Sequence, residues 1–169
     1  MNVFAMTCVA ALMLPSLAVA EELPKPVAAL EALVGEWKGQ GTMATPEGTA
    51  TVQASWSCRR VSARFGVSCN LRVTGIPNLA SYDETDLMGY EPNTDTYHWY
   101  SVTNVGETHD HVASHQPSEF VFEGTQAGQP LKEVIQLSLA GRTVRGRAET
   151  FVAGASVSVL TLELHKGKP

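Results

Sequence analysis

From about residue 36 onward the chain alternates polar and apolar side chains with a period of two, and turn residues break the pattern about every ten positions. A β-strand sends successive side chains to opposite faces, so this pattern dictates half-buried strands. In "TATVQASWSC" (49–58), Ala50, Val52, Ala54, Trp56 and Cys58 share one face, and Thr49, Thr51, Gln53, Ser55 and Ser57 share the other. After a turn, Phe65, Val67, Cys69, Leu71 and Val73 stand opposite Ser68, Asn70 and Arg72. "DLMGYEP", "DTYHWYSVTN", "ETHDHVASH", "EFVFEG", "LKEVIQLSLA", "RTVRGRAET" and "ASVSVLTLELH" continue the series, mostly through tight connections such as "AGR" and "VAG". "TGIPNLASYDET" reads as a longer Gly/Pro/Asn-marked loop. One helix precedes the strands, in "PVAALEALVGEW", with Pro26 able to open it, Ala29, Leu30, Leu33 and Val34 forming a stripe, and Gly35 ending it. Successive antiparallel strands without crossover helices predict an all-β fold. It is a closed or nearly closed up-and-down antiparallel barrel of about eight to ten strands, with one short N-terminal helix.

The chain has 169 residues. Its first twenty, "MNVFAMTCVAALMLPSLAVA", carry no charged side chain and end in Ala18-Val19-Ala20, a small-x-small cleavage pattern. The expectation is a signal peptide over 1–20, cleaved after Ala20, and a single domain over 21–169 in the periplasm or secreted. Only the terminal amine supplies positive charge to this leader. The net charge of -5 leaves no electrostatic footprint for nucleic acid. No further segment is apolar enough to read as a membrane span. The expected partner is a small apolar ligand, and the expected state a monomer or homodimer.

Two cysteines remain after such a cleavage, Cys58 and Cys69. Both lie on the apolar faces of their strands and flank a hairpin tip. In an oxidising compartment that favours a Cys58–Cys69 disulfide over two reduced, buried thiols.

"LEALVGEWKGQGT" holds Gly35-x-Trp37 at the junction of helix and first strand. This resembles the Gly-x-Trp signature of the lipocalin and calycin superfamily. Together with "LMGYEPNTDTYHW" it resembles a family of small bacterial lipocalin-like domains of unknown function, and is distantly similar to nitrobindin-like ten-stranded barrels. The resemblance spans roughly residues 27 to 164. It implies that Trp37 plugs the closed end of a barrel whose interior holds a small apolar ligand. Lipocalins place an Arg after the last strand to stack on that Trp. Here no Arg follows, and Lys166, or Arg142, Arg145 or Arg147 from the preceding strand, are the substitutes. In nitrobindin-like barrels a His near the end supports a haem. His165 lies by alternation on the face opposite Leu160, Leu162 and Leu164, so haem is not expected here.

"VTNVGETHDHVASH" carries the main candidate site. On a strand, Glu107, His109, His111, Ala113 and His115 point one way, and Thr108, Asp110, Val112 and Ser114 the other. A His-x-His pair on one face can share a transition metal, zinc or copper, with His115 or Glu107 as a further ligand. A two-residue turn at Asn104-Val105 sets His98 opposite His111 and adds it to the site. A three-residue turn through Gly106 sets Trp99 opposite His111, and Gly106 at the left-handed position favours it. Other readings of these histidines are polar lining of a cavity, proton transfer by imidazoles near neutral pH, or plain surface. Trp56, Tyr90, Tyr97, Trp99, Tyr100, Phe120 and Phe122 supply candidate cavity walls or core, with Trp56, Tyr97 and Trp99 joining His109 and His111 as the expected ligand-binding set. Asp83, Glu84 and Asp86 form an acidic run, a possible cation site or a solvated loop. Nucleophile elbows and phosphate loops are absent from the sequence.

Overall fold

The computed structural model describes residues 25–62, 65–114, 119–126 and 131–168. The leader expected over residues 1–20 lies outside them. Helix α1 (Lys25–Leu33) is followed by β1 (Gly35–Thr45), β2 (Gly48–Val61), β3 (Gly66–Thr74), β4 (Tyr82–Glu91) and β5 (Thr96–Thr103). Strands β6 (Thr108–Ser114), β7 (Glu119–Gln126), β8 (Leu131–Ala140), β9 (Thr143–Val152) and β10 (Ala155–Lys166) complete the set. Each strand pairs antiparallel with its sequence neighbours, and β10 returns to β1, giving a closed ten-stranded barrel. Closure leaves no unpaired edge. Among the described residues no helix is long and apolar enough to cross a membrane.

The helix buries Val27, Leu30 and Leu33 and packs against β3 and β4. Trp37, fully buried, donates its indole N–H to the Leu33 carbonyl at 2.7 Å. That satisfies one of the carbonyls a helix end leaves without an internal partner. Lys166 Nζ stands 5.0 Å from the centre of the Trp37 ring and 3.4 Å from the Ala32 carbonyl oxygen. Arg142 in turn donates to the Lys166 carbonyl at 2.9 Å. Of the basic residues the sequence offered for stacking on Trp37, Lys166 takes the place. Tyr97 donates its hydroxyl to the Pro26 carbonyl at 2.9 Å and meets the Phe120 ring edge-on at 4.8 Å, so it packs the helix-covered end.

Cys58 and Cys69 face each other across β2 and β3 and are disulfide-bonded. Two local expectations change. Phe65 sits in the turn before β3 and is exposed: its amide donates to the Ser62 carbonyl in that turn, its carbonyl accepts from the Tyr90 amide on β4, and the apolar face begins at Val67. The long loop ends sooner than its composition suggests: Tyr82 to Thr85 pair with Val73 to Asn70 and belong to β4.

Candidate functional site

The antiparallel order puts the 75–81 loop and the 104–106 turn at the end of the barrel away from the helix. An internal cavity of about 490 Å³ opens among them, reached past Ile76, Leu79 and Val105. Its apolar wall includes Met43, Trp56, Trp99, Ile135, Leu137, Leu160 and Leu162. Its polar wall is built from Tyr82, Glu84, Glu107, His109 and Glu133. This size lies within the usual range for small-molecule sites, about 300–1,000 Å³.

The polar wall starts from the β5–β6 turn. Thr103 and Glu107 close a three-residue loop in which Gly106 takes a φ of 84°. This pairs Trp99 with His111 and Ser101 with His109, the register Gly106 favours. His98 therefore faces outward and is exposed, and among the described histidines only His109 and His111 point inward. His109 is nearly buried and His111 fully so. Their imidazole centres are 5.6 Å apart.

Glu133 on β8 joins them. Its Oε2 lies 2.6 Å from His109 Nδ1 and 2.9 Å from His111 Nε2. Glu107 Oε2 lies 3.5 Å from the other nitrogen of His109. Burial works against charge on His109. The hydrogen bond and charge of Glu133, with the charges of Glu84 and Glu107, outweigh it and raise the His109 pKa to about 9. Burial likewise works against ionising Glu133, but the bonds and charges of the two histidines bring its pKa down to about 2. Tyr82 is pushed far above the ordinary phenol range by burial first, and then by Glu84, Glu133, Glu107 and Asp86.

One layer deeper lies Asp86, 1% exposed. Trp99 donates its indole N–H to Oδ1 at 2.8 Å, and Trp56 to Oδ2 at 3.1 Å. This carboxyl ties together the two indoles of the cavity wall, whose rings stack with centroids 6.3 Å apart. Burial and the nearby Glu84 charge hold its pKa well above the usual carboxylate value, against the pull of the two indoles.

The structure thus brings His109, His111, Glu107, Trp56 and Trp99 to one region. Tyr97 is not among the residues lining the cavity, and Tyr100 is exposed on the outer face. His115 falls outside the described residues. Glu133 was missed in the sequence, although it occupies the apolar face of "LKEVIQLSLA" with Ile135, Leu137 and Leu139. An acid on an apolar face was the available signal, and Glu84 and Asp86 give the same signal between Tyr82, Met88 and Tyr90. His165 points outward, its side chain 61% exposed, so it cannot ligate a group inside the barrel and does not fit an interior haem.

No family model matches the chain, and no curated protein matches it in sequence. Among solved structures it is similar to the crystal structure of Rv2717c from M. tuberculosis, with a TM-score of 0.67 and 16% identity, covering 87% of this chain and 100% of that one. At that identity the likeness speaks for the fold alone. That fold is a closed ten-stranded antiparallel barrel, and its interior could receive a ligand.

Proposed function

We propose that this protein is an exported lipocalin-like binding module that holds a small amphipathic molecule in its barrel. The observation that carries the reading is the two-sided cavity of about 490 Å³. The apolar part of the ligand lies along Leu160, Leu162, Ile135 and the Trp56–Trp99 pair. Its polar part reaches the wall of Glu84, Glu107, His109 and Glu133. Apolar burial supplies affinity, at roughly 25 cal/mol per Å² removed from water, and the few fixed polar groups supply orientation. His109 lines the cavity, and its Nε2 makes no hydrogen bond, the Glu107 carboxylate standing 3.5 Å away. Export rests on the leader-like residues 1–20 and agrees with the disulfide, a bond that persists in oxidising compartments.

Native mass spectrometry of protein released gently from its expression host tests the binding. The expected spectrum shows a small-molecule adduct that dissociates on activation. A spectrum of bare chain alone, with no uptake of added amphiphiles, contradicts the reading. The mass of the released chain tests export, with Glu21 expected as its first residue.

A further inference from the structure

We propose that His109, His111 and Glu133 form a transition-metal site in the barrel wall, of the type that takes zinc, with its open coordination position toward the cavity. The ligand-competent atoms of these three residues all lie within 4.8 Å of one another. His109 Nδ1 and His111 Nε2 both aim at one carboxylate oxygen, so three donors already converge on one point. In a tetrahedral zinc site the bonds run about 2.0–2.2 Å, which spaces neighbouring donors roughly 3.3 Å apart. The two Glu133 contacts, at 2.6 and 2.9 Å, would open by about half an ångström to reach that spacing, with the two imidazole nitrogens already within 4.8 Å of each other. Two imidazoles and one carboxylate suit zinc, copper or nickel, and not calcium or magnesium, which favour all-oxygen sets.

The surroundings match what a metal requires. A ligating histidine commonly gives its second N–H to a carboxylate. Glu107 stands 3.5 Å from His109 Nε2, the nitrogen left over when Nδ1 ligates. His111 Nδ1 is fully buried without a hydrogen-bond partner, so this ring is held in place by its Nε2 side and by packing against Trp99. Space for the ring is provided deliberately: a Cβ on Gly124 would lie 2.4 Å from His111 Cδ2. Glu84, Glu107 and Glu133 line this corner of the cavity with carboxylates, a setting that favours a bound cation. His109 and Glu133 line the cavity, so the fourth position is reached from inside it. Three protein donors with one exchangeable position is the arrangement of metal centres that bind or activate a water or a ligand group. The site does not depend on the cavity having an organic ligand of its own.

The test is a titration of the full chain, tag-free and stripped with chelator, with Co²⁺ followed by Zn²⁺ competition. One equivalent of Co²⁺ is expected to bind with the visible bands of four-coordinate cobalt, and Zn²⁺ to displace it. His109→Ala/His111→Ala should abolish the signal, and Glu107→Gln should weaken binding by about tenfold. His98→Ala/His165→Ala, which removes the two outward histidines, should leave it unchanged. Glu133→Gln keeps the shape and an acceptor, so its loss of binding with an unchanged circular dichroism spectrum decides the case if the alanine pair folds poorly. Absence of saturable binding to the wild type, or binding that survives Glu133→Gln and the double variant, overturns the proposal. So does binding lost with the outward histidines.

Discussion

His111 and Glu133 belong to strands that are not neighbours, β6 and β8, yet Nε2 and Oε2 lie 2.9 Å apart. They meet over Gly124 on β7, which pairs with His111 on one side and Glu133 on the other. Any side chain at this position would stand in the gap, 2.3 Å from the Asp110 carbonyl oxygen and 2.4 Å from the His111 ring. Gly124→Ala is therefore expected to part the pair. Forced repacking of this kind costs about 1–3 kcal/mol. Urea denaturation should register that loss, and the imidazole resonances of both histidines should shift in NMR spectra. An unchanged midpoint with unchanged resonances would show that the glycine is not what lets them meet.

Asp86 holds both cavity indoles, so its removal should loosen the wall. Asp86→Ala leaves two buried indole N–H donors without acceptors, at about 1–3 kcal/mol each. The expected result is a stability loss of several kcal/mol and a change in the near-ultraviolet circular dichroism from the tryptophans. A variant of wild-type stability with an unaltered spectrum would remove Asp86 from this role.

The same residue sets a pH dependence whose sign is fixed. Asp86 titrates near 3.8 in an unfolded chain and well above that in the fold. Between those values the folded protein binds the extra proton, so this group favours the fold most below the unfolded value and progressively less as pH rises through the folded one. Asp86→Asn cannot ionise and lacks this slope. It carries a constant offset from one lost indole bond. The stability difference, wild type minus Asp86→Asn, should fall as pH rises above the unfolded value of 3.8 in urea titrations. A flat difference would mean that the carboxyl ionises as easily in the fold as in water.

The disulfide closes a short loop, eleven residues in separation. Reduction, or Cys58→Ser/Cys69→Ser, should lower stability by about 2–3 kcal/mol through the unfolded state's regained freedom. The calorimetric midpoint should drop while the circular dichroism spectrum at room temperature is retained. A midpoint insensitive to reductant would show that the bridge adds nothing to the fold.

Strand alternation made the barrel legible because each inward position repeats at the same spacing whichever strand pairs with it. Cys58 with Cys69 and the His109/His111 face followed from that rule, whereas Trp37, and Lys166 as one of four candidate partners, came from the Gly-x-Trp resemblance. Glu133 did not, because its meeting with the histidines depends on the order of β6, β7 and β8 and on the absence of a side chain at Gly124. Both are long-range facts that local periodicity does not carry. Glu84 was read within a loop, and with Asp83 and Asp86 as an acidic run that was either a cation site or a solvated loop, because the composition of Tyr82–Thr85 hid its pairing with β3. Their inward direction became visible only once that register was known. Phe65 shows the reverse error, an apolar residue assigned inward that a tight turn holds outside.

The cavity as a binding site is the central claim, and a probe that reports from inside the barrel tests it most directly. Trp56 and Trp99 line the cavity while Trp37 sits at the helix-covered end, so an occupant alters emission from the first two. Titration with 1-anilinonaphthalene-8-sulfonate, following energy transfer from tryptophan, should saturate at one equivalent in the wild type. Ala148→Phe places a ring in the cavity from β9 and should weaken that binding by at least tenfold, about 1.4 kcal/mol, with the fold retained. Failure of the wild type to saturate, or equal affinity in Ala148→Phe, would contradict the assignment of this cavity as the binding site.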